Sequence, residues 1–147
     1  MAVAVPELLD AYLAELPGES RRLAGGEWGL TVPAEAAGGW PLHVGLRLAD
    51  GLLTAKAAVL DADSGVDPRM LLWWNRQTRL VRFGCTQSGE VWVHADLPVA
   101  AADEQGVDRL LGLVCEGAVA ARSYVSTRDD GPEAASSWLG PDAPPSP

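Results

Sequence analysis

The stretch LHVGLRLADGLLTAKAAVL, residues 42–60, constrains the fold more than any other part of the chain. Leu42, Val44, Leu46 and Leu48 alternate with His43, Gly45, Arg47 and Ala49, the period-two pattern of a strand with one face in a core. Asp50-Gly51 follows, a dipeptide favoured where both central turn positions need positive φ, so residues 52–60 are expected to return as the paired strand. Such a hairpin is apolar on one side, and other elements have to cover that side.

The flanking sequence supplies the cover. Residues 27–32 alternate Trp28, Leu30 and Val32 on one side before PAEAAGGWP breaks the pattern, so three strands read as an antiparallel meander. Ahead of it, residues 6–16 read as a helix, with Val5, Leu8, Leu9, Tyr12, Leu13 and Leu16 on one face and Glu7, Asp10 and Glu15 on the other. LPGE stops it. Asp67-Pro68 opens a second helix, Asp as cap and Pro in the first turn, running to about Gln77. Residues 80–86 and 90–97 form a second hairpin around QSGE. A long helix over 103–125 carries a stripe of Val107, Leu110, Leu111, Val114, Ala118, Ala121 and Val125. Gly112 and Gly117 each lower its intrinsic stability by about 1 kcal/mol, so packing has to hold it. The order α-β-β-β-α-β-β-α is that of an α+β domain with helices against an antiparallel sheet. Residues 1–125 are expected to form this single domain, and the Pro-, Ser- and Ala-rich end, 126–147 with Trp138-Leu139, to be disordered.

The net charge of −9 works against general attraction to nucleic acid and to anionic membrane. No apolar run approaches the ~20 residues that cross a bilayer. The N-terminus has neither the basic start of a signal peptide nor the composition of a transit peptide, so a cytoplasmic protein is expected. Cys85 and Cys115 stand in no metal-type pair and read as two buried, reduced thiols. His43 and His94 alternate with apolar strand residues and so face outward, with Asp96 and Trp92 two residues to either side of His94. Two separated histidines and one carboxylate fall short of a ligand set with recognisable spacing. No nucleophile, phosphate-loop or zinc motif is present.

Trp73 and Trp74 are adjacent and cannot face the same way. At 100° per residue, Met70, Leu71, Trp74 and Thr78 cluster on one side, which makes Trp74 the core tryptophan. Leu72 and Trp73 fall on the other side with Arg69, Arg76 and, further round, Arg79. Exposed Trp and Leu among arginines is the composition of an interface core, so Arg69, Leu72, Trp73 and Arg76 are expected to form a dimer surface.

The run MLLWWNRQTRLVRFGCTQSGEVWVHADLPVAAADEQGVDRLLGLVCEGA resembles the YbjN family, whose pattern is matched by Leu71, Leu72, Asn75, Arg82, Phe83, Gly89, Val91, Leu97, Pro98, Leu110 and Leu111. The element order resembles the type III secretion chaperone-like fold. This resemblance implies a small acidic homodimer that holds a partner protein, has no active site and needs no cofactor or metal. It transfers no catalytic residue. The reading taken forward is a non-enzymatic homodimeric protein-binding module, a chaperone-like protein or regulatory adaptor, whose partners are a second copy and an unidentified protein. Arg47, Arg79, Trp92 and His94 are its candidate partner-binding residues. The alternatives are a single-stranded nucleic-acid-associated regulator using the Arg and Trp patch over residues 69–82, and a small enzyme or metal binder using His43, His94 and Asp96.

Overall fold

The computed structural model describes residues 4–128, and the end of the chain with Trp138 lies outside them. Helix α1 (Val5–Glu15) leads into a meander of β1 (Glu19–Ala24), β2 (Glu27–Val32), β3 (Leu42–Ala49) and β4 (Leu52–Leu60). Helix α2 (Pro68–Asn75) crosses to a hairpin of β5 (Val81–Cys85) and β6 (Val91–Pro98), and α3 (Glu104–Arg128) follows. The six strands form one sheet in the order β1-β2-β3-β4-β6-β5, every neighbouring pair antiparallel. The α+β class read from the sequence holds.

The meander has one strand more than expected. β1, with the sequence ESRRLA, shows no alternation, and all but one of its residues are exposed. As an outermost strand it needs little apolar surface, and charges on such a strand discourage edge-to-edge pairing. The Gly25-Gly26 pair between β1 and β2 was the readable signal of a hairpin.

The period-two alternation puts Trp28, Leu30, Val44, Leu46, Leu53, Ala55, Ala57, Val81, Phe83, Val91, Val93 and Ala95 in the core. Leu9 and Leu13 of α1 and Val107, Leu110 and Val114 of α3 meet them in the same core. Asp10 fastens α1 by accepting hydrogen bonds from the Trp28 indole at 2.8 Å and from Arg22 at 3.3 Å. The Tyr12 hydroxyl donates to Asp108 and ties α1 to α3. The Asp50-Gly51 turn has the expected positive φ values of 55° and 77°.

Helix α3 continues to Arg128, past the expected end at residue 125, and holds one group the stripe did not anticipate. Arg122 is 1 % exposed, the one charged side chain buried among the described residues. Its guanidinium donates to the carbonyls of Val59 (3.1 Å), Ala37 (2.6 Å), Trp40 (2.7 Å) and Pro41 (3.4 Å). It also lies 4.3 Å from the centre of the Trp40 ring. Val59 is the extra residue of a β-bulge, since the register passes from Ala58 opposite Trp92 to Leu60 opposite Val91. Its carbonyl accepts from Arg122. Burial pulls the guanidinium pKa down from its ordinary value, with Asp61 opposing, but Arg keeps its proton in proteins.

Arg122 thus pins α3 to the β2–β3 connection and to the bulge in β4. Arg122→Ala should destabilise the fold by about 2–4 kcal/mol, because it strands buried carbonyls as well as removing contacts. Arg122→Lys should recover less than half of that loss, since an ammonium cannot span the same fork of acceptors. Urea unfolding monitored by tryptophan fluorescence checks both values.

Candidate protein-interaction surfaces

Two surfaces are left for function: the outer side of α2 and the sheet face that carries no helix. Helix α2 starts as the sequence indicated. The Asp67 carboxylate accepts from the Arg69 amide at 2.9 Å, and Pro68 occupies the first turn. Met70, Leu71 and Trp74 are buried. The Trp74 ring meets Phe83 of β5 edge-on at 5.1 Å and Tyr124 of α3 at 5.4 Å, so one side chain joins three elements.

The opposite side holds Leu72, 69 % exposed, the most exposed of the large apolar residues described. Trp73 is half-buried rather than fully exposed, because its ring packs back against the edge of its own core. The Arg76 guanidinium sits 5.2 Å above that ring, and Arg69 lies 4.0 Å from Asp67. The indole nitrogen of Trp73 is buried with no hydrogen-bond partner among the described residues. Arg69, Leu72, Trp73 and Arg76 therefore share one small surface.

Asn75 ends the helix and has a second task. Its amide nitrogen donates to the Phe83 carbonyl at 3.1 Å, and its oxygen accepts from the Phe83 amide at 2.7 Å. That pair imitates a neighbouring strand along the outer edge of β5. The Thr78 hydroxyl donates to the Val81 carbonyl at 2.7 Å on the same strand. One edge of the sheet is thereby blunted from within the chain.

The bare face is made by the residues that alternate with the core. The register sets Arg21, Gly29, Gly45, Lys56, His94 and Arg82 side by side across all six strands. Arg47 and Glu27 lie next to this row, 4.0 Å apart. Asp96 accepts from the Thr54 hydroxyl at 2.9 Å and lies 3.0 Å from the Arg82 guanidinium. The Trp92 and His94 rings stack with centres 6.3 Å apart, and Trp92 donates to Glu90. His43 is two strands from β6 and bonds Thr31 at 3.0 Å, so it is not brought to His94 and Asp96. Among the described residues no group of three or more His, Cys, Asp or Glu side chains is arranged to hold a metal ion.

Two expectations change here. The arginines expected to share one patch are divided, because Arg82 points to the bare face while Arg69 and Arg76 lie on α2; Arg79 is exposed in the connection between α2 and β5. The two thiols were expected to be buried. Cys85, the last residue of β5, is exposed, and Cys115 is half-buried, with burial pushing its thiol pKa up. Sequence reading named Arg47, Trp92 and His94 on the bare face but missed Arg21, Lys56 and the glycines between them. Their relation depends on register across four strands, which no local pattern displays.

Asn75→Ala should cost about 1–3 kcal/mol, because both Phe83 backbone groups lose their partner at the sheet edge. Hydrogen exchange should locate the loss at the Phe83 amide. Partial burial, with Arg82 and Lys56 nearby and Asp96 opposing, lowers the His94 pKa from its ordinary 6.5. The folded protein then binds this proton more weakly than the unfolded chain. The contribution is fully present above the ordinary value and is lost as pH falls through it towards the lower folded one. His94→Gln should therefore lose less stability than the wild type between pH 7 and pH 5, as read from urea unfolding at the two pH values.

A family model described as "YbjN: Putative bacterial sensory transduction regulator" matches residues 43–127, more than half of the chain. In structure the chain is similar to the Yersinia pestis type III secretion chaperone SycH, whose crystal structure is a complex with a stable fragment of YscM2. The TM-score is 0.58 at 13 % sequence identity, over 78 % of this chain and 97 % of the other. No curated protein matches the sequence.

Proposed function

The chain belongs to the YbjN family, and from that premise we propose that it is a non-enzymatic, homodimeric protein-binding module acting as a chaperone-like protein or regulatory adaptor. The observation that carries this reading is Leu72, exposed beside the half-buried Trp73 on a helix whose inner face already completes the core. A large apolar side chain so placed adds nothing to the monomer. Packed against the same surface of a second copy, it would be buried about a two-fold axis, with Arg69 and Arg76 at the rim. Stacking on Arg76 and packing on the core hold the Trp73 ring in place, so little side-chain entropy would be lost on association.

The fold supports the partner-holding part of the reading. SycH, similar in fold, is a chaperone in complex with a fragment of another protein. A six-stranded sheet with all its helices on one side leaves a broad second side, on which Arg47, Trp92 and His94 lie, for a partner. No helix among the described residues is long and apolar enough to cross a membrane.

Light scattering on the purified chain is the test. The wild type should give about twice the 15.4 kDa chain mass. Leu72→Asp and Trp73→Ala should lower that mass towards one chain while keeping the wild-type circular dichroism. Trp74→Ala should instead cost about 3–5 kcal/mol of stability by opening a core cavity. A monomeric wild type would remove the dimer from this reading.

A further inference from the structure

The centre of the bare sheet face is open at Gly45, while the space over its neighbour Gly29 is filled by the Leu23 side chain. Gly29 and Gly45 sit directly opposite each other on β2 and β3, inside the sheet, and neither has positive φ. A β-carbon at Gly45 would come no closer than 3.9 Å to another atom, so a side chain has room to start there, and valine would favour the strand. Glycine inside a strand weakens it and often marks a place where another chain approaches. The cross-strand row gives this cleared floor two flanking cations, Arg21 on β1 and Lys56 on β4.

Neither cation has a salt-bridge partner among the described residues, whereas Arg22, Arg47, Arg69 and Arg82 each have one. Lys56 is the only lysine in a chain whose net charge is −9. Apolar surface lies beside the same floor. The register slips at β1 between Arg22 and Ala24, and the Leu23 side chain leans over Gly29, 53 % exposed. Hollows open on both sides of Leu23 with Gly45 in each lining, one bounded by Arg21, His43 and Glu19, the other by Lys56, Leu52, Asp50 and the Arg47–Glu27 pair.

We infer that the Gly45 floor beside Leu23, between Arg21 and Lys56, is the docking trough for an extended acidic segment of the partner protein. The inference rests on the protein-binding reading and names the chemistry of its partner. Backbone and side chains of the segment lie over Gly45 and against the Leu23 side chain that covers Gly29. Its carboxylates meet Arg21 and Lys56, and an apolar side chain covers Leu23 or Leu52. A peptide with a few carboxylates suits the site better than nucleic acid, because a net charge of −9 repels a polyanion far more strongly than it repels a short acidic segment.

Fluorescence anisotropy of a short labelled peptide alternating glutamate with leucine tests this. A lysine–leucine peptide and a thymidine oligonucleotide of equal length serve as comparisons. The full chain should bind the glutamate peptide in preference to both. Lys56→Glu and Gly45→Val should each weaken that binding roughly tenfold or more, with circular dichroism and thermal midpoint close to wild type. Gly45→Val leaves every charge in place, so it isolates occupancy of the floor. Preference for the lysine peptide or the oligonucleotide would overturn the inference, as would no binding at all. Equal binding by wild type and both variants would also overturn it, while leaving a protein-binding role standing at another surface. A light-scattering mass that falls in Gly45→Val would seat a second copy of the chain on the trough instead of an acidic segment.

Discussion

A sheet whose side chains alternate at a period of two has two faces with separate fates, and this chain spends nearly all its apolar strand residues on one of them. Leu42, Val44, Leu46, Leu53, Ala55, Ala57, Val91, Val93 and Ala95 point one way, and the three helices have to lie there. The rest follows from that division. Helix α3 is fixed by Arg122, α1 by Asp10, and α2 by Trp74 and Asn75. The other face is left without a helix and is free to carry Arg47, Lys56, Trp92, His94 and the opposed glycines.

The residues that mark the family are largely those that build this frame. Leu71, Val91, Leu97, Leu110 and Leu111 are core residues. Gly89 turns the second hairpin at φ 96°. Asn75 and Phe83, eight positions apart in the chain, are joined by two hydrogen bonds that finish the sheet edge. Such a pattern identifies a fold through its packing and its edge, while a partner is selected by surfaces the pattern does not include. Leu72 is the one large apolar side chain of the pattern that stands exposed, at 69 %.

Legibility in the sequence followed the energetics. Each strand of the β3–β4 hairpin buries one full face, so alternation and the Asp-Gly turn disclosed its bounds residue by residue. β1 buries almost nothing and has no such period; it forms because β2 offers a free edge, a tertiary cause. Arg122 was hidden because a charge in a helix normally means solvent, and only four converging carbonyls make its burial tolerable. The wheel separated Trp73 from Trp74 correctly, but it could not show that the edge of the core would reach round to half-cover Trp73.

The sequence alone determined every element but β1, the core face of the other strands, the inner side of α2 and the family, because all of these are written in spacings of two to four residues or in short motifs. Only the tertiary structure decided that Arg82 leaves the α2 arginines, that His43 stays two strands from His94, and that Arg21, Gly29, Gly45 and Lys56 form one row. The reason is physical. Strand register links residues far apart in the chain through backbone hydrogen bonds, and on a face without a core no hydrophobic period records which of them will meet.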